Sequence, residues 1–214
     1  MADGPHQGQP VFAAGDPLES AHAAMVMVHG RGADANDILG IASALEIPGF
    51  AYLAPEANGN SWYPNSFLAP IESNEPGITS ALALIGSIID RIGAAGIPLK
   101  RVMLLGFSQG ACLSAEYAAR NPARYGGVAC LSGGLIGPDE TPRTYPGTFD
   151  GTPIFLGCSD VDFHIPAARV KESAEVLGRM HADVTMKFYP GMGHTVNDDE
   201  LDAVSKMMRE VSVG

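Results

Sequence analysis

The sequence predicts an α/β fold with a mostly parallel central sheet and helices on both faces. Three observations support this prediction. Short apolar runs rich in Val, Ile, Met and Leu alternate with longer segments that have helical periodicity. Hydrophobic residues make up 46% of the chain and charged residues 17%, which suits a buried sheet covered by helices. The 214 residues are also sufficient for one sizeable hydrophobic core.

Six strands and five helices are predicted, in an order that repeats strand and then helix. The strands are expected at residues 24–28, 51–54, 102–105, 127–131, 154–156 and 184–188. The helices are expected at residues 36–45, 77–95, 111–120, 167–180 and 199–211. Residues 55–76 and 132–153, rich in Gly, Pro, Asn and Ser, receive no assignment. Each of them follows a predicted strand, where enzymes built on such sheets place their pocket walls.

A single domain is predicted over residues 15–214, preceded by a flexible leader over residues 1–14. The first ten residues carry Asp3 and no Lys or Arg before an apolar stretch, so they lack the charged start of a secretion signal. The longest helical apolar stretch, residues 78–89, has only 12 residues and is too short to cross a bilayer. We therefore expect no membrane span.

Charge and cysteine content restrict the partners and the compartment. Thirteen Lys and Arg against 24 Asp and Glu give a net charge of -11, which repels phosphate backbones, so nucleic acid is not an expected partner. Cys112, Cys130 and Cys158 are odd in number and form no CxxC pair. They therefore indicate neither a disulfide framework nor a zinc site, and they favour a reducing, cytoplasmic compartment. A monomer and a homodimer both remain open.

Residues 106–110 read Gly-Phe-Ser-Gln-Gly, a pattern that places a nucleophilic serine on a sharp turn between a strand and a helix. The predicted strand at 102–105 leads into this pentapeptide, and a predicted helix follows it. Gly106 and Gly110 would let strand and helix approach closely around a strained Ser108. The turn would also direct the backbone N–H of Gln109 at a reacting carbonyl group. The alternative is a glycine-rich loop with an incidental serine.

A serine hydroxyl needs a neighbouring base, and His194 is the candidate among six histidines. It follows the last predicted strand on a glycine-containing turn, which puts it at the carboxyl edge of the sheet. Its acid partner is expected in the loop after the preceding strand, where Asp160 and Asp162 compete. This acid would hold the imidazole tautomer and stabilise the imidazolium. The alternative for His194 is an unrelated loop histidine.

The run His29-Gly30-Arg31-Gly32 follows the first predicted parallel strand. It predicts the second half of an oxyanion hole, supplied by the backbone N–H of Arg31. The Arg31 side chain is not needed for this role, and it could face solvent or an acidic group of a substrate. His29 is expected to be a buried, hydrogen-bonding residue rather than a base.

Four motifs in order resemble those of the phospholipase/carboxylesterase family, which includes acyl-protein thioesterases and is related to dienelactone hydrolases. They are His29-Gly30-Arg31-Gly32, Gly106-Phe107-Ser108-Gln109-Gly110, Asp162-Phe163-His164-Ile165-Pro166 and Gly193-His194. The resemblance covers about residues 15–211. It implies an α/β-hydrolase fold with a minimal or no cap domain. It also implies a carboxylesterase, thioesterase or lysophospholipase that acts on acyl esters and uses no metal or organic cofactor.

The resemblance bears on the choice of the acid. The family acid usually stands four residues before a proline, which favours Asp162 before Pro166. Counting from Gly157 instead would favour Asp160. Because Pro166 begins the next predicted helix and fixes that end of the loop, Asp162 is preferred.

The resemblance also implies residues of the substrate pocket. An aromatic pair that lines the acyl pocket of the family maps onto Trp62 and Tyr63, with structural packing as an equal alternative for Trp62. Phe163 and Met192, which flank the predicted acid and base, are further candidates for the pocket wall.

Two other functions remain as alternatives. A metal-dependent hydrolase would draw ligands from Asp160, Asp162, His164, His194 and Asp198, but the sequence has no HExxH motif or closely spaced ligand pair. A non-catalytic ligand-binding protein could keep the same fold.

Overall fold

One seven-stranded sheet organises the computed structural model, which describes residues 4–45 and 47–213. The strand order is β1-β3-β2-β4-β5-β6-β7. The pairing of β1 with β3 is antiparallel and the other five pairings are parallel. The strands are β1 (Val11–Gly15), β2 (Ala23–Val28), β3 (Phe50–Pro55), β4 (Val102–Phe107), β5 (Gly127–Leu131), β6 (Pro153–Ser159) and β7 (Asp183–Tyr189).

Five helices cover the two faces of the sheet. They are α1 (Ala35–Leu45), α2 (Gly77–Ala94), α3 (Gln109–Arg120), α4 (Ala167–Arg179) and α5 (Asp198–Val213). Buried side chains of α2, α3 and α4 belong to one core cluster, and those of α1 and α5 belong to the other. The α/β architecture, the six predicted strands and the five predicted helices are therefore confirmed, with differences of a few residues at their ends.

The central strands are apolar without alternation because helices cover both of their faces. Every residue of β2, β3 and β5 is buried, whereas β7 at the sheet edge is mostly exposed or half-buried. Since β2, β4, β6 and β7 run parallel, their carboxyl ends meet at one edge of the sheet. The loops after these four strands and after β3, which also runs parallel to β2, carry the predicted functional residues, so the topology gathers them at this edge.

The N-terminal segment differs from the predicted flexible leader. Residues 11–15 form β1, which pairs with β3 over five residues. Upstream, the buried His6 donates its backbone N–H to Ser80 Oγ (3.0 Å), and its ring Nε2 bonds the Trp62 carbonyl (2.8 Å). These partners lie 36 or more residues along the chain, so local sequence gives no sign of them. Residues 4–14 therefore belong to the domain, and residues 1–3 lie outside the described residues.

Helix α2 is longer than the apolar stretch predicted at residues 78–89. It has 18 residues with a mean hydropathy of 1.3, which is long and apolar enough for a membrane span by length and composition alone. In the fold, Ile78, Ile85 and Ile92 are fully buried in the core. A core helix passes the same test of length and composition, so α2 gives only weak evidence for a membrane span.

The two unassigned stretches contact each other beyond the carboxyl edge of the sheet. The Gly137 N–H donates to the Phe67 carbonyl (2.7 Å) and joins them. The Ile136 N–H donates to the buried carboxylate of Glu116 on α3 (3.0 Å), and the buried Arg169 on α4 donates to the Gly137 carbonyl (2.5 Å). Tertiary contacts of this kind, rather than regular secondary structure, determine the shape of the region beside the site.

Candidate active site

Ser108 occupies the turn between β4 and α3 with φ 55° and ψ −117°, a strained conformation for a residue with a side chain. The flanking glycines are required by close backbone approach. A Cβ atom on Gly106 would lie 2.2 Å from the Gly110 carbonyl oxygen, and one on Gly110 would lie 2.0 Å from the Val28 carbonyl oxygen. The predicted strand, sharp turn and helix are all present, and they hold Ser108 at the carboxyl edge of the sheet.

Ser108, His194 and Asp162 form a continuous row of hydrogen bonds. Ser108 Oγ lies 2.8 Å from His194 Nε2, and His194 Nδ1 lies 2.7 Å from Asp162 Oδ2. Because a carboxylate only accepts hydrogen bonds, the proton belongs on Nδ1, which leaves Nε2 free to accept the serine hydroxyl. The fold brings these three side chains together from positions up to 86 residues apart.

The side chain of Asp162 is inaccessible to solvent and held by a tight turn. Its Oδ1 accepts the backbone N–H groups of His164 (2.8 Å) and Ile165 (3.0 Å). Burial favours the neutral acid, but the hydrogen bonds from His194 and from these two N–H groups outweigh it and lower the pKa of Asp162. Asp162 is therefore a carboxylate at neutral pH.

Asp160 has a different position from Asp162. It is exposed, and its Oδ1 accepts the Gly191 N–H (2.8 Å), which ties the acid loop after β6 to the base loop after β7. Of the two competing aspartates, the geometry pairs Asp162 with His194.

The base loop ends at a capping box that starts α5. Asn197 Oδ1 accepts the Glu200 N–H (3.0 Å), and Glu200 Oε2 accepts the Asn197 N–H (3.0 Å). Glu200 is fully buried, and a Cβ atom on Gly157 of β6 would lie 2.2 Å from its Oε1. Burial raises the pKa of Glu200 to about 7. The end of the loop that follows His194 is thus held by the Asn197–Glu200 hydrogen bonds and by the packing of Glu200 against β6.

The predicted oxyanion-hole segments lie beside the nucleophile. A Cβ atom on Gly30 would lie 3.4 Å from Ser108 Cβ, so the turn that leads into Arg31 packs directly against the serine. Gln109 is the first residue of α3, where backbone N–H groups lack helical acceptors and the helix dipole favours negative charge. Within residues 4–45 and 47–213, neither the Arg31 N–H nor the Gln109 N–H donates to a protein acceptor.

The side chains of Gln109 and Arg31 fasten the loop after β3. Gln109 Oε1 accepts the Trp62 N–H (2.9 Å), and its Nε2 donates to the Tyr63 carbonyl (2.9 Å). Arg31 Nη1 donates to the Pro64 carbonyl (2.8 Å), and its guanidinium lies 5.9 Å from the centre of the Tyr63 ring. Both side chains therefore help to shape the loop that forms one wall of the cavity at Ser108.

His29 is fully buried, as predicted. Its Nδ1 bonds the Gly30 carbonyl (2.8 Å), and its Nε2 accepts the Ala57 N–H (3.1 Å). Both ring nitrogens are therefore hydrogen-bonded to the backbone, and the ring holds the turn that leads to Arg31 in place.

A cavity of about 400 Å³ opens at Ser108 and His194. Its walls are residues 63–67, Cys112 on α3, and His164 and Ile165 of the acid loop. A second cavity of about 250 Å³ shares His194 and is lined mainly by apolar side chains. These include Ile38 and Ile41 of α1, together with Phe107 and Val196.

The three predicted pocket residues, Trp62, Phe163 and Met192, do not line the larger cavity. Trp62 is fully buried and donates its indole N–H to the His29 carbonyl (2.9 Å). Met192 Sδ receives the side-chain amide of Asn197 instead. Phe163 points outward with 81% of its surface exposed. The conformations of the loops that carry them depend on distant partners, which the local sequence does not reveal.

The sequence analysis missed several residues that do line this cavity. Ser66 and Phe67 lie in the unassigned stretch, where an aromatic residue among Gly, Pro, Asn and Ser was the available signal. His164 and Ile165 were predicted only as part of the loop that carries the acid, and His164 was also a candidate metal ligand. Tyr63, rather than its neighbour Trp62, is the member of the aromatic pair on the cavity wall.

The geometry gives the metal-site alternative no support. Within the described ranges, no group of three or more His, Cys, Asp or Glu side chains is arranged to hold a metal ion. Two of the candidate ligands, Asp162 and His194, bond each other, and Asp160 bonds the Gly191 backbone.

Comparison with known proteins adds to this geometry. A family profile described as Phospholipase/Carboxylesterase matches residues 11–212. The chain belongs to the phospholipase/carboxylesterase family. A crystal structure of a phospholipase/carboxylesterase from Dyadobacter fermentans is 42% identical, has a TM-score of 0.92, and aligns 98% of this chain with 100% of that chain. The fold is therefore the α/β-hydrolase fold.

Curated relatives of this family member include acyl-protein thioesterases. Acyl-protein thioesterase 1 of Gibberella zeae is 33% identical over 54% of this chain and 50% of that protein. The protein of the same name from Candida albicans is 30% identical over 58% of this chain and 55% of that protein. The chain thus spans about half the length of these relatives. A structure of esterase PE8, 22% identical with a TM-score of 0.75, shares the fold.

Proposed function

We propose that this protein is a serine carboxylesterase that hydrolyses acyl esters or thioesters through Ser108, His194 and Asp162. One observation carries the proposal: a strained turn presents Ser108 Oγ 2.8 Å from His194 Nε2, while Asp162 accepts from the other ring nitrogen at 2.7 Å. This arrangement is the one that activates a hydroxyl for attack on a carbonyl carbon. The membership in the family and the names of its relatives support the same reaction class.

The reaction proceeds in two steps. Ser108 Oγ attacks the carbonyl carbon while His194 Nε2 accepts its proton, and the backbone N–H groups of Arg31 and Gln109 stabilise the oxyanion. The intermediate collapses, and His194 returns the proton to the departing alcohol or thiol. Water, deprotonated by His194, then attacks the acyl group on Ser108, and His194 returns this proton to Ser108 Oγ as the acid is released. Asp162 stays ionised and stabilises the imidazolium. The proposed reaction uses no metal or organic cofactor.

The proposed substrates are small or lipid-like acyl esters and thioesters, and the proposed compartment is the cytoplasm. The cavity of about 400 Å³ is of a size suited to a small-molecule ligand. Cys112, Cys130 and Cys158 are free and buried, which is consistent with a reducing compartment.

Replacement of the nucleophile tests the proposal. We expect Ser108→Ala to lower kcat on p-nitrophenyl esters and acyl thioesters by at least about 10⁴-fold, with an unchanged melting temperature. Ser114→Ala is the matched control, because Ser114 is a buried serine further along α3 that lies outside the site. This control variant should retain wild-type turnover.

Near-normal turnover by Ser108→Ala would refute the assignment. A folded wild-type protein without turnover on a series of acyl chain lengths would instead favour the non-catalytic ligand-binding alternative.

A further inference from the structure

Two large apolar side chains are exposed beside the proposed catalytic acid. Phe163 is 81% exposed and Val161 is 63% exposed, and they flank Asp162 in sequence. The other large hydrophobic side chains that are exposed among the described residues, Phe12 and Met186, are 38% and 39% exposed. Aromatic side chains gain stability by leaving water, so a nearly bare phenyl ring beside a reactive site indicates a binding role.

The exposed position of Phe163 is fixed by the backbone around it. The Asp162 carboxylate accepts the N–H groups of His164 and Ile165, and α4 begins directly after Pro166. Phe163 therefore lies inside a short, hydrogen-bonded turn that also positions the acid. Its ring is presented to solvent by the same hydrogen bonds that hold Asp162.

An unbroken row of rings leads from the reacting atoms to this exposed phenyl ring. The centroids of the Phe163 and His164 rings are 4.4 Å apart. The His164 ring lies edge-on to the His194 ring with the centroids 4.9 Å apart. His164 also lines the larger cavity, whereas Phe163 lies outside it. We call Phe163 and His164 the aromatic rim.

The chemistry of the proposed reaction indicates which part of a substrate meets this rim. The acyl group stays bonded to Ser108, whose side chain lines the larger cavity. The leaving oxygen or sulfur must instead lie near His194 Nε2, because that atom supplies its proton. A group attached to the leaving atom can therefore extend from His194 across His164 to Phe163.

We propose that the aromatic rim binds the leaving group and selects esters or thioesters whose alcohol or thiol carries an aromatic or similarly flat apolar group. Offset and edge-to-face contacts between rings favour such a partner. The net charge of -11 disfavours a membrane surface with anionic lipids as the occupant. This inference rests on the proposed function, and it adds the class of leaving group.

The test compares phenyl acetate with 2-naphthyl acetate, which share the acyl group and have leaving groups of similar acidity. We expect Phe163→Ala to lower kcat/KM for 2-naphthyl acetate about fivefold while phenyl acetate changes by less than about twofold. The kcat/KM of Phe163→Leu for 2-naphthyl acetate should lie between those of wild type and Phe163→Ala. The control is Phe12→Ala, which changes an exposed phenylalanine on β1, the strand at the opposite edge of the sheet from β7. This variant should leave the ratio of the two kcat/KM values, 2-naphthyl acetate over phenyl acetate, unchanged.

Three results would overturn the inference. An equal loss with both esters and an altered pH profile would mean that Phe163 positions His164 and His194 instead of binding substrate. Ile41 lines the second cavity. If Ile41→Ala changed the ratio of kcat/KM for the two esters and Phe163→Ala did not, the leaving group would lie in that cavity. An inactive wild-type protein on both esters would refute the proposed function itself, and with it this inference.

Discussion

The nucleophile side and the base side of the site are built by different means. Ser108 stands where buried β4 meets α3, and the backbone of β2 and α3 packs against its flanking glycines without room for one further atom. Asp162 and His194 stand on loops after β6 and β7, near an exposed edge of the sheet, where side-chain hydrogen bonds connect the loops. The turn that carries Ser108 should therefore be destabilised by added side-chain volume. The arrangement of Asp162 and His194 should instead be disturbed by the loss of hydrogen bonds.

The largest effect is expected on the base side, from Asp162→Asn. The amide can donate to Nδ1 and favour the wrong imidazole tautomer, so kcat should fall about 10⁴-fold with little change in KM. Steady-state kinetics on a p-nitrophenyl ester measures both constants.

Asp160→Asn is the matched control, because it changes a carboxylate two residues away that bonds only the Gly191 N–H. Its kcat should stay within about tenfold of wild type. Comparable losses in the two variants would contradict the assignment of Asp162 as the acid.

On the nucleophile side, the predicted effect is on folding. Gly106→Ala places a Cβ atom 2.2 Å from the Gly110 carbonyl oxygen, and neither backbone segment can move without separating β4 from α3. We expect a loss of at least about 4 kcal/mol in the free energy of unfolding, or no soluble folded protein. Urea denaturation followed by circular dichroism measures this loss.

Gly40→Ala provides the comparison within α1, where an added Cβ atom meets nothing within 4 Å. It should stabilise the protein by about 0.5–1 kcal/mol. A Gly106→Ala variant within about 1 kcal/mol of wild type would show that the turn is looser than its geometry indicates.

A smaller effect, dependent on pH, is expected from Glu200 behind the base loop. Burial raises the pKa of Glu200 to about 7 from an ordinary value of 4.5, so the folded state holds a proton that the unfolded state releases. Its contribution to stability is complete below about pH 4.5 and is lost as pH rises through about 7. Relative to Glu200→Gln, wild type should lose on the order of 1–2 kcal/mol across this window, after allowance for solvent screening.

The difference between wild type and Glu200→Gln isolates this carboxyl group from other titrating residues. His6 acts in the opposite direction, because burial lowers its pKa and destabilises the fold as the solution becomes acidic. Denaturation curves at pH 4.5, 6 and 8 for both proteins provide the test. Parallel pH dependences would contradict a protonated Glu200 in the folded state.

The same contrast explains how much of the fold was predictable from sequence. Buried parallel strands such as β2 and β5 are continuous apolar runs, and helices have a distinct period, so both are visible locally. Strand β1 was missed because its short sequence, Val-Phe-Ala-Ala-Gly, gains its conformation only from pairing with β3. The buried position of His6 likewise depends on Trp62 and Asn58, more than 50 residues away.

The site residues also divide into those that a local motif predicts and those that depend on distant partners. Ser108, Gln109 and the two flanking glycines were predicted because a local motif dictates their turn. Asp162 was preferred over Asp160 because Pro166 fixes the end of its loop, and in the structure Asp162 Oδ2 lies 2.7 Å from His194 Nδ1. The three predicted pocket residues lie away from the larger cavity, since side chains from other elements, such as Arg31 and Gln109, determine which loop residues face it.

The central claim is that His194 and Asp162 make Ser108 the one activated hydroxyl of this chain. Treatment of the folded protein with a fluorophosphonate, followed by peptide mass spectrometry, tests it most directly. We predict one covalent adduct per chain, on Ser108, and slow or absent labelling after Asp162→Asn. Absence of an adduct in folded wild-type protein, or an adduct on another serine, would contradict the claim.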